Sequence, residues 1–170
     1  MIDPKHSQAV ETLMAAADAV AAVLAANRDW GASGIRDGQY AVDLDADAAC
    51  LDVLYRAGYR VLSEESGISG PPGSDSAPIV VIDPLDGSTN ASRHVPWYAS
   101  ALCLVDADGP AAGVVVNHAT GERFSAVRAL GVGVAVCIRF SLSGPTASVA
   151  TLEFQVQTKE PEGTRQVCET

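Results

Sequence analysis

Four β-branched residues in succession, Ile79-Val80-Val81-Ile82, pass directly into Asp83-Pro84-Leu85-Asp86-Gly87, and this junction constrains the fold more than any other feature. Such a run predicts a strand buried on both faces. Packing does not explain its end, because Asp is depleted in strands and two carboxylates three positions apart repel unless something neutralises them. Pro84 fixes a backbone angle and removes a donor, while Gly87 lets the main chain approach a ligand closely. The N–H groups that follow suit a phosphate if a helical turn starts there. Asp oxygens, with a freed carbonyl at Leu85, form a hard-oxygen set suited to Mg²⁺. Taken alone, the spacing fits a turn that caps a helix equally well.

The flanking patterns predict what surrounds this strand. Apolar residues from Val10 to Leu24 recur at helical spacing in an alanine-rich segment, which predicts an amphipathic helix over about residues 6–28. A second helix is expected from about Leu44 to Ala57, ended by Gly58. Tyr59-Arg60-Val61-Leu62 reads as a short strand that delivers Ser63-Glu64-Glu65-Ser66-Gly67, and residues 67–76 read as a surface loop. Stretches near 98–105, 111–117 and 122–127 alternate with turn-forming residues, which predicts an antiparallel meander. Together these predict an α+β class: a layered α/β sandwich with two N-terminal helices packed on a largely antiparallel sheet.

Composition limits the functions open to the chain. With 170 residues, 48% of them hydrophobic, it has material for one packed domain. The net charge is −10, with 11 Lys and Arg against 21 Asp and Glu, which argues against a nucleic-acid partner. Most of those carboxylates read as solvated surface. The four cysteines, Cys50, Cys103, Cys137 and Cys168, lack the close pairing of a zinc site or a disulfide framework. Reduced thiols in the cytoplasm are the expectation. Glu11 and Asp18 interrupt the apolar N-terminal segment, so no membrane span or signal peptide is expected there. His6, His94 and His118 are scattered and read as loop or surface residues; Ser100 and Cys103 have no base beside them in sequence.

Asp83-Pro84-Leu85-Asp86-Gly87-Ser88-Thr89-Asn90 resembles the signature of the inositol monophosphatase family. Leu62 to Ser66 resembles that family's Gly-Glu-Glu segment with Ser63 in place of glycine, and Ala46-Asp47 sits where the family has a helix-opening Asp. Gly113 to Asn117 and Thr120 to Glu122 resemble its following strand-turn-strand, so the resemblance is collinear from about residue 8 to about 130. It implies Glu64, Asp83 and Asp86 as metal carboxylates for Mg²⁺, with the Leu85 carbonyl as a further ligand. It implies Gly87 and Ser88 as phosphate binders through their N–H groups. Ser88 would also pair with Asp47 to orient water, which makes Asp47, Glu64 and Ser88 the catalytic set, and Glu65 would support it from behind. The implied activity is hydrolysis of an inositol phosphate or related sugar or polyol phosphate. Histidinol phosphate is the alternative substrate, and a homodimer is the implied assembly.

The resemblance by motif stops near Leu130. Family members continue into a second α/β domain carrying a Trp-Asp-x-Ala-Ala-Gly segment, and this sequence contains none. The expectation is an N-terminal metal- and phosphate-binding domain over 1–130 and a divergent segment over 131–170. That segment would be read in an altered frame or be disordered, leaving a shortened chain with little or no activity of its own.

Overall fold

The computed structural model describes residues 4–128, 134–142 and 150–158. Helix α1 spans Pro4–Ala26 and opens on proline, whose missing N–H is not needed in a first turn. Its buried stripe, Ala9, Leu13, Ala16, Ala17 and Val20, follows the three-and-four spacing of one helix face. By length and composition α1 would also suffice to cross a membrane, but here that stripe is core. Helix α2 spans Ala41–Arg56 and buries Val42, Ala46, Cys50 and Leu54, one residue per turn.

The strands are β1 (Arg60–Ser63), β2 (Gly67–Ser69), β3 (Ile79–Asp86), β4 (Ala99–Asp106), β5 (Gly109–Asn117) and β6 (Arg123–Val127), with a short helix α3 (Ser88–Ser92) between β3 and β4. They form one sheet in the order β2-β1-β3-β4-β5-β6. Only β1 and β3 run parallel; every other neighbouring pair in this sheet is antiparallel. Val80 pairs with Leu104 and Ile82 with Leu102, and these side chains join Val61, Val114 and Val116 in a core shared with α1 and α2. On the opposite face Val81 and its partner Cys103 are buried too, so β3 is covered on both sides as its composition predicts. Val134–Leu142 (β7) and Ala150–Thr158 (β8) form a separate antiparallel pair; the other residues of 131–170 lie outside the described set.

The layered α+β prediction holds, with three local differences. Residues 67–69 pair with β1 instead of belonging to the loop, because Gly67 at φ +74° turns the chain back on the strand it has just left. Helix α2 starts at Ala41 rather than near Leu44, since the Asp43 carboxylate accepts the Tyr40 N–H at 2.8 Å and closes the first turn earlier. Strand β3 continues through Asp86, and its register with β4 slips between Asp83 and Asp86. That slip is a bulge of the kind that re-aims side chains at sheet ends.

Candidate functional site

Because β1 and β3 are parallel, their C-terminal ends open on the same side, which brings Glu64 beside Asp83. The Glu64 N–H donates to the Ile82 carbonyl at 3.1 Å, prolonging the pairing by one residue. The first turn of α2 adds Asp43, and the loop before it adds Arg36 and Gln39. A cavity of about 330 Å³ lies between them, lined in part by Glu64, Asp83, Leu85, Asp86, Gly87 and Ser88. The Leu85 side chain belongs to the core, so its main chain faces this cavity.

Charge in this cavity is unbalanced. Burial and the adjoining Glu64, to which it is hydrogen-bonded, push the Asp83 carboxyl far above the usual carboxylate range, and Asp86 and Glu65 add to the effect. Asp83 is 8% exposed. Burial also raises Asp43, opposed by the Tyr40 N–H and the Ser88 hydroxyl; one Asp43 oxygen is buried without a hydrogen-bond partner. Glu65 also lines the cavity but is already partnered: Arg36 donates to it at 2.8 Å and Gln39 bonds the same oxygen. Burial nevertheless holds Glu65 above its ordinary range.

These observations test whether a divalent cation fits. A buried Asp83 carboxyl raised by the carboxylates around it, an unpartnered carboxylate oxygen and a main-chain carbonyl make an all-oxygen donor set, which suits Mg²⁺ rather than a softer metal. Among the described residues no three His, Cys, Asp or Glu side chains already stand in coordinating geometry. The donors fit by chemistry and would draw together on binding.

Gly87 caps α3 at φ +81°, and a Cβ there would come within 2.9 Å of the Trp97 carbonyl. Glycine is therefore required twice over, by backbone conformation and by space. The structure gives Asp47 Ser63, not Ser88, as its hydrogen-bond partner. The Ser63 hydroxyl donates to the buried Asp47 carboxylate at 2.5 Å and accepts the Glu65 N–H at 3.0 Å, so Asp47 anchors the Glu64-Glu65 turn from beneath. Ser88 lies instead beside Asp43, one helical turn earlier. Starting α2 at Leu44 leaves Asp43 outside the helix and hides it. The signal that finds it is an acid three residues after Tyr40, where a helix-opening carboxylate reaches back to the chain.

Sequence reasoning also passes over a pair behind the site. The Ser100 hydroxyl, fully buried on β4, lies 2.6 Å from the Pro84 carbonyl and 2.7 Å from His118 Nε2. Burial, with help from Arg123 and against Asp18, lowers His118 to about 4. Eighteen residues of separation by chain hid this contact; only the β4–β5 register, which opposes Ser100 and Val116, brings it within reach.

The site is thus a carboxylate-lined, oxygen-rich cavity beside a glycine-capped turn, carried on a layered α/β domain. The model of the inositol monophosphatase family matches residues 4–169, and the chain belongs to that family of phosphatases. It is 37% identical over 89 residues to a fructose-1,6-bisphosphatase/inositol-1-monophosphatase of Archaeoglobus fulgidus, a match covering 51% of this chain and 34% of that protein. It is 34% identical over 85 residues to an inositol-1-monophosphatase of Caulobacter vibrioides, covering 48% and 32%. The extragenic suppressor protein SuhB of Bartonella henselae superposes with a TM-score of 0.58 at 28% identity, over 71% of this chain and 48% of that one. The inositol monophosphatase of Anabaena gives 0.58 at 27%, over 76% and 50%. The matches thus span about a third of these curated relatives and about half of these solved chains.

Proposed function

We propose that this chain carries the metal- and phosphate-binding half of a Mg²⁺-dependent phosphomonoesterase acting on inositol phosphate or a related sugar or polyol phosphate. The observation that carries the reading is the buried Asp83 held against Glu64 with Asp86 beside it, an arrangement whose crowded negative charge must be relieved either by a proton on Asp83 or by a bound cation. Glu64, Asp83, Asp86 and the Leu85 carbonyl would hold Mg²⁺. When bound, Mg²⁺ would polarise the phosphoryl group and make water a better nucleophile near neutral pH. Gly87 and Ser88 would bind the phosphate through N–H groups that a helix start leaves without partners inside the helix. The Ser88 hydroxyl and Asp43 would orient the attacking water, Asp43 accepting its hydrogen bond. A new oxygen–phosphorus bond forms, the ester oxygen leaves, and a proton passes to the departing alcohol. Asp47 and Glu65 would position these groups without touching substrate.

The coverage of the relatives leaves the activity of this chain open to a direct test. Calorimetric titration with Mg²⁺ should show saturable binding that Asp83→Asn abolishes. A phosphate-release panel of inositol 1-phosphate, fructose 1,6-bisphosphate and histidinol phosphate then reads turnover. Binding with weak or absent turnover fits half of a site; absence of Mg²⁺ binding sinks the reading. A reduced cytoplasmic setting and a homodimer belong to the same proposal, the first supported by Cys50 and Cys103, which are buried and free.

A further inference from the structure

We infer that Ser100 and His118 are positioning residues for this site: together they hold the Pro84 carbonyl and so set the Leu85–Asp86 main chain that faces the cavity. The inference rests on the proposed metal reading and adds to it two residues, one on β4 and one on the β5–β6 turn, that no motif marks.

The geometry argues it in three steps. The bulge between Asp83 and Asp86 takes Pro84 and Leu85 out of regular pairing with β4, so the Pro84 carbonyl needs an acceptor's partner from elsewhere. The Ser100 hydroxyl supplies it at 2.6 Å. A hydroxyl has one proton, so with that proton on the Pro84 carbonyl, Ser100 accepts from His118, whose Nε2 must then carry hydrogen. His118 is itself fixed, its N–H donating to the Tyr98 carbonyl at 3.0 Å. The chain of bonds thus runs from the β5–β6 turn, across a buried serine, to the peptide directly before the proposed carbonyl ligand.

The same pair invites a different interpretation, a serine nucleophile with a histidine base. Two facts oppose it. Ser100 is 0% exposed, so no substrate reaches its oxygen, and its proton points at a backbone carbonyl rather than at the imidazole. The pair is built to orient, and backbone partners of this kind commonly tune metal affinity by about tenfold or more.

A single labelled peak tests this. Pro84-Leu85 is the only Pro-Leu step in the sequence. Protein grown with carbonyl-¹³C proline and ¹⁵N leucine therefore gives one cross-peak linking the Pro84 carbonyl to the Leu85 amide. Ser100→Ala should move its carbonyl shift upfield, toward an unbonded carbonyl, and weaken Mg²⁺ binding on the order of tenfold. His118→Leu should do the same to a smaller degree, and His118→Gln, which keeps a donor, should restore both. An Ser100→Ala peak in the wild-type position, or Mg²⁺ affinity within about twofold of wild type where outer partners normally cost far more, overturns the positioning role. Wild-type protein that binds no Mg²⁺ overturns the site reading itself, and a displaced peak in that case leaves the bond real but its purpose refuted.

Discussion

Asp43 and Asp47 stand one helical turn apart and are both buried, yet their surroundings predict opposite behaviour on substitution. Asp47 is the acceptor of a short bond from Ser63, so Asp47→Ala strands a buried hydroxyl and should cost about 1–3 kcal/mol in thermal or urea unfolding. Asp43 carries an unpartnered oxygen and is proposed to orient the attacking water, so Asp43→Asn should cost less stability than Asp47→Ala in the same unfolding assay, leave Mg²⁺ binding in place and lower phosphate release. Equal loss of stability in both variants would contradict the distinction. His118 gives a pH signature. Its folded pKa is about 4 against an ordinary 6.5, because burial disfavours the cation. A depressed value means that the neutral form stabilises the fold fully above 6.5 and that this contribution is lost as pH falls toward about 4. The difference in stability between wild type and His118→Gln, followed by denaturant unfolding across that interval, should therefore shift in favour of the variant as pH drops.

Strand β3 and its neighbours join residues into a site, and they show what a sequence reveals. The run Ile79 to Ile82 announced a doubly covered strand because β-branched composition and burial are local properties. The meander from β4 to β6 was legible through its turns for the same reason. Leu102, opposite Ile82 and fully buried, belongs to that legible core; Leu102→Ala should cost about 2–5 kcal/mol in chemical denaturation. Boundaries were less legible. The start of α2 depends on one carboxylate reaching back to Tyr40, and placing that start three residues late left Asp43, the carboxylate beside Ser88, outside the helix. The Ser100–His118 contact was invisible because it depends on strand register across eighteen residues, which no local pattern encodes. Gly87 was legible as a glycine but not as a steric necessity. Gly87→Ala forces a left-handed residue against the Trp97 carbonyl and should cost about 1–3 kcal/mol, measured by thermal unfolding.

One buried layer serves both packing and chemistry. Cys50 lies between α2 and the sheet and Cys103 on the far face, and burial pushes both thiols up to about 12. Native protein at pH 8 should leave these two cysteines unmodified by iodoacetamide in peptide mass spectrometry, and urea should expose both together, since Cys50 on α2 packs against the sheet that carries Cys103. Fast native labelling of either would show the layers opening independently. On the proposed Mg²⁺ reading, the acidity concentrated near Asp83 should couple stability to the cation. Mg²⁺ at a hundred times its dissociation constant should raise unfolding free energy by about 2.7 kcal/mol if it binds only the folded form. Asp83→Asn should remove that increment.

The lone parallel pairing, β1 with β3, obliges the backbone to travel back along the strands before β3 can start. The return segment, residues 70–78, consequently emerges at the end of the sheet remote from Glu64 and Asp83. It is rich in Gly, Pro and Ser, and Pro72, Gly73, Asp75 and Ser76 are exposed. Its ties to the rest are modest, among them Arg60 donating to the Asp75 carbonyl. This makes the Gly73–Ser74 junction a natural port for engineering, where a reporter peptide or purification handle can be spliced in while the end that carries Glu64 and Asp83 stays undisturbed.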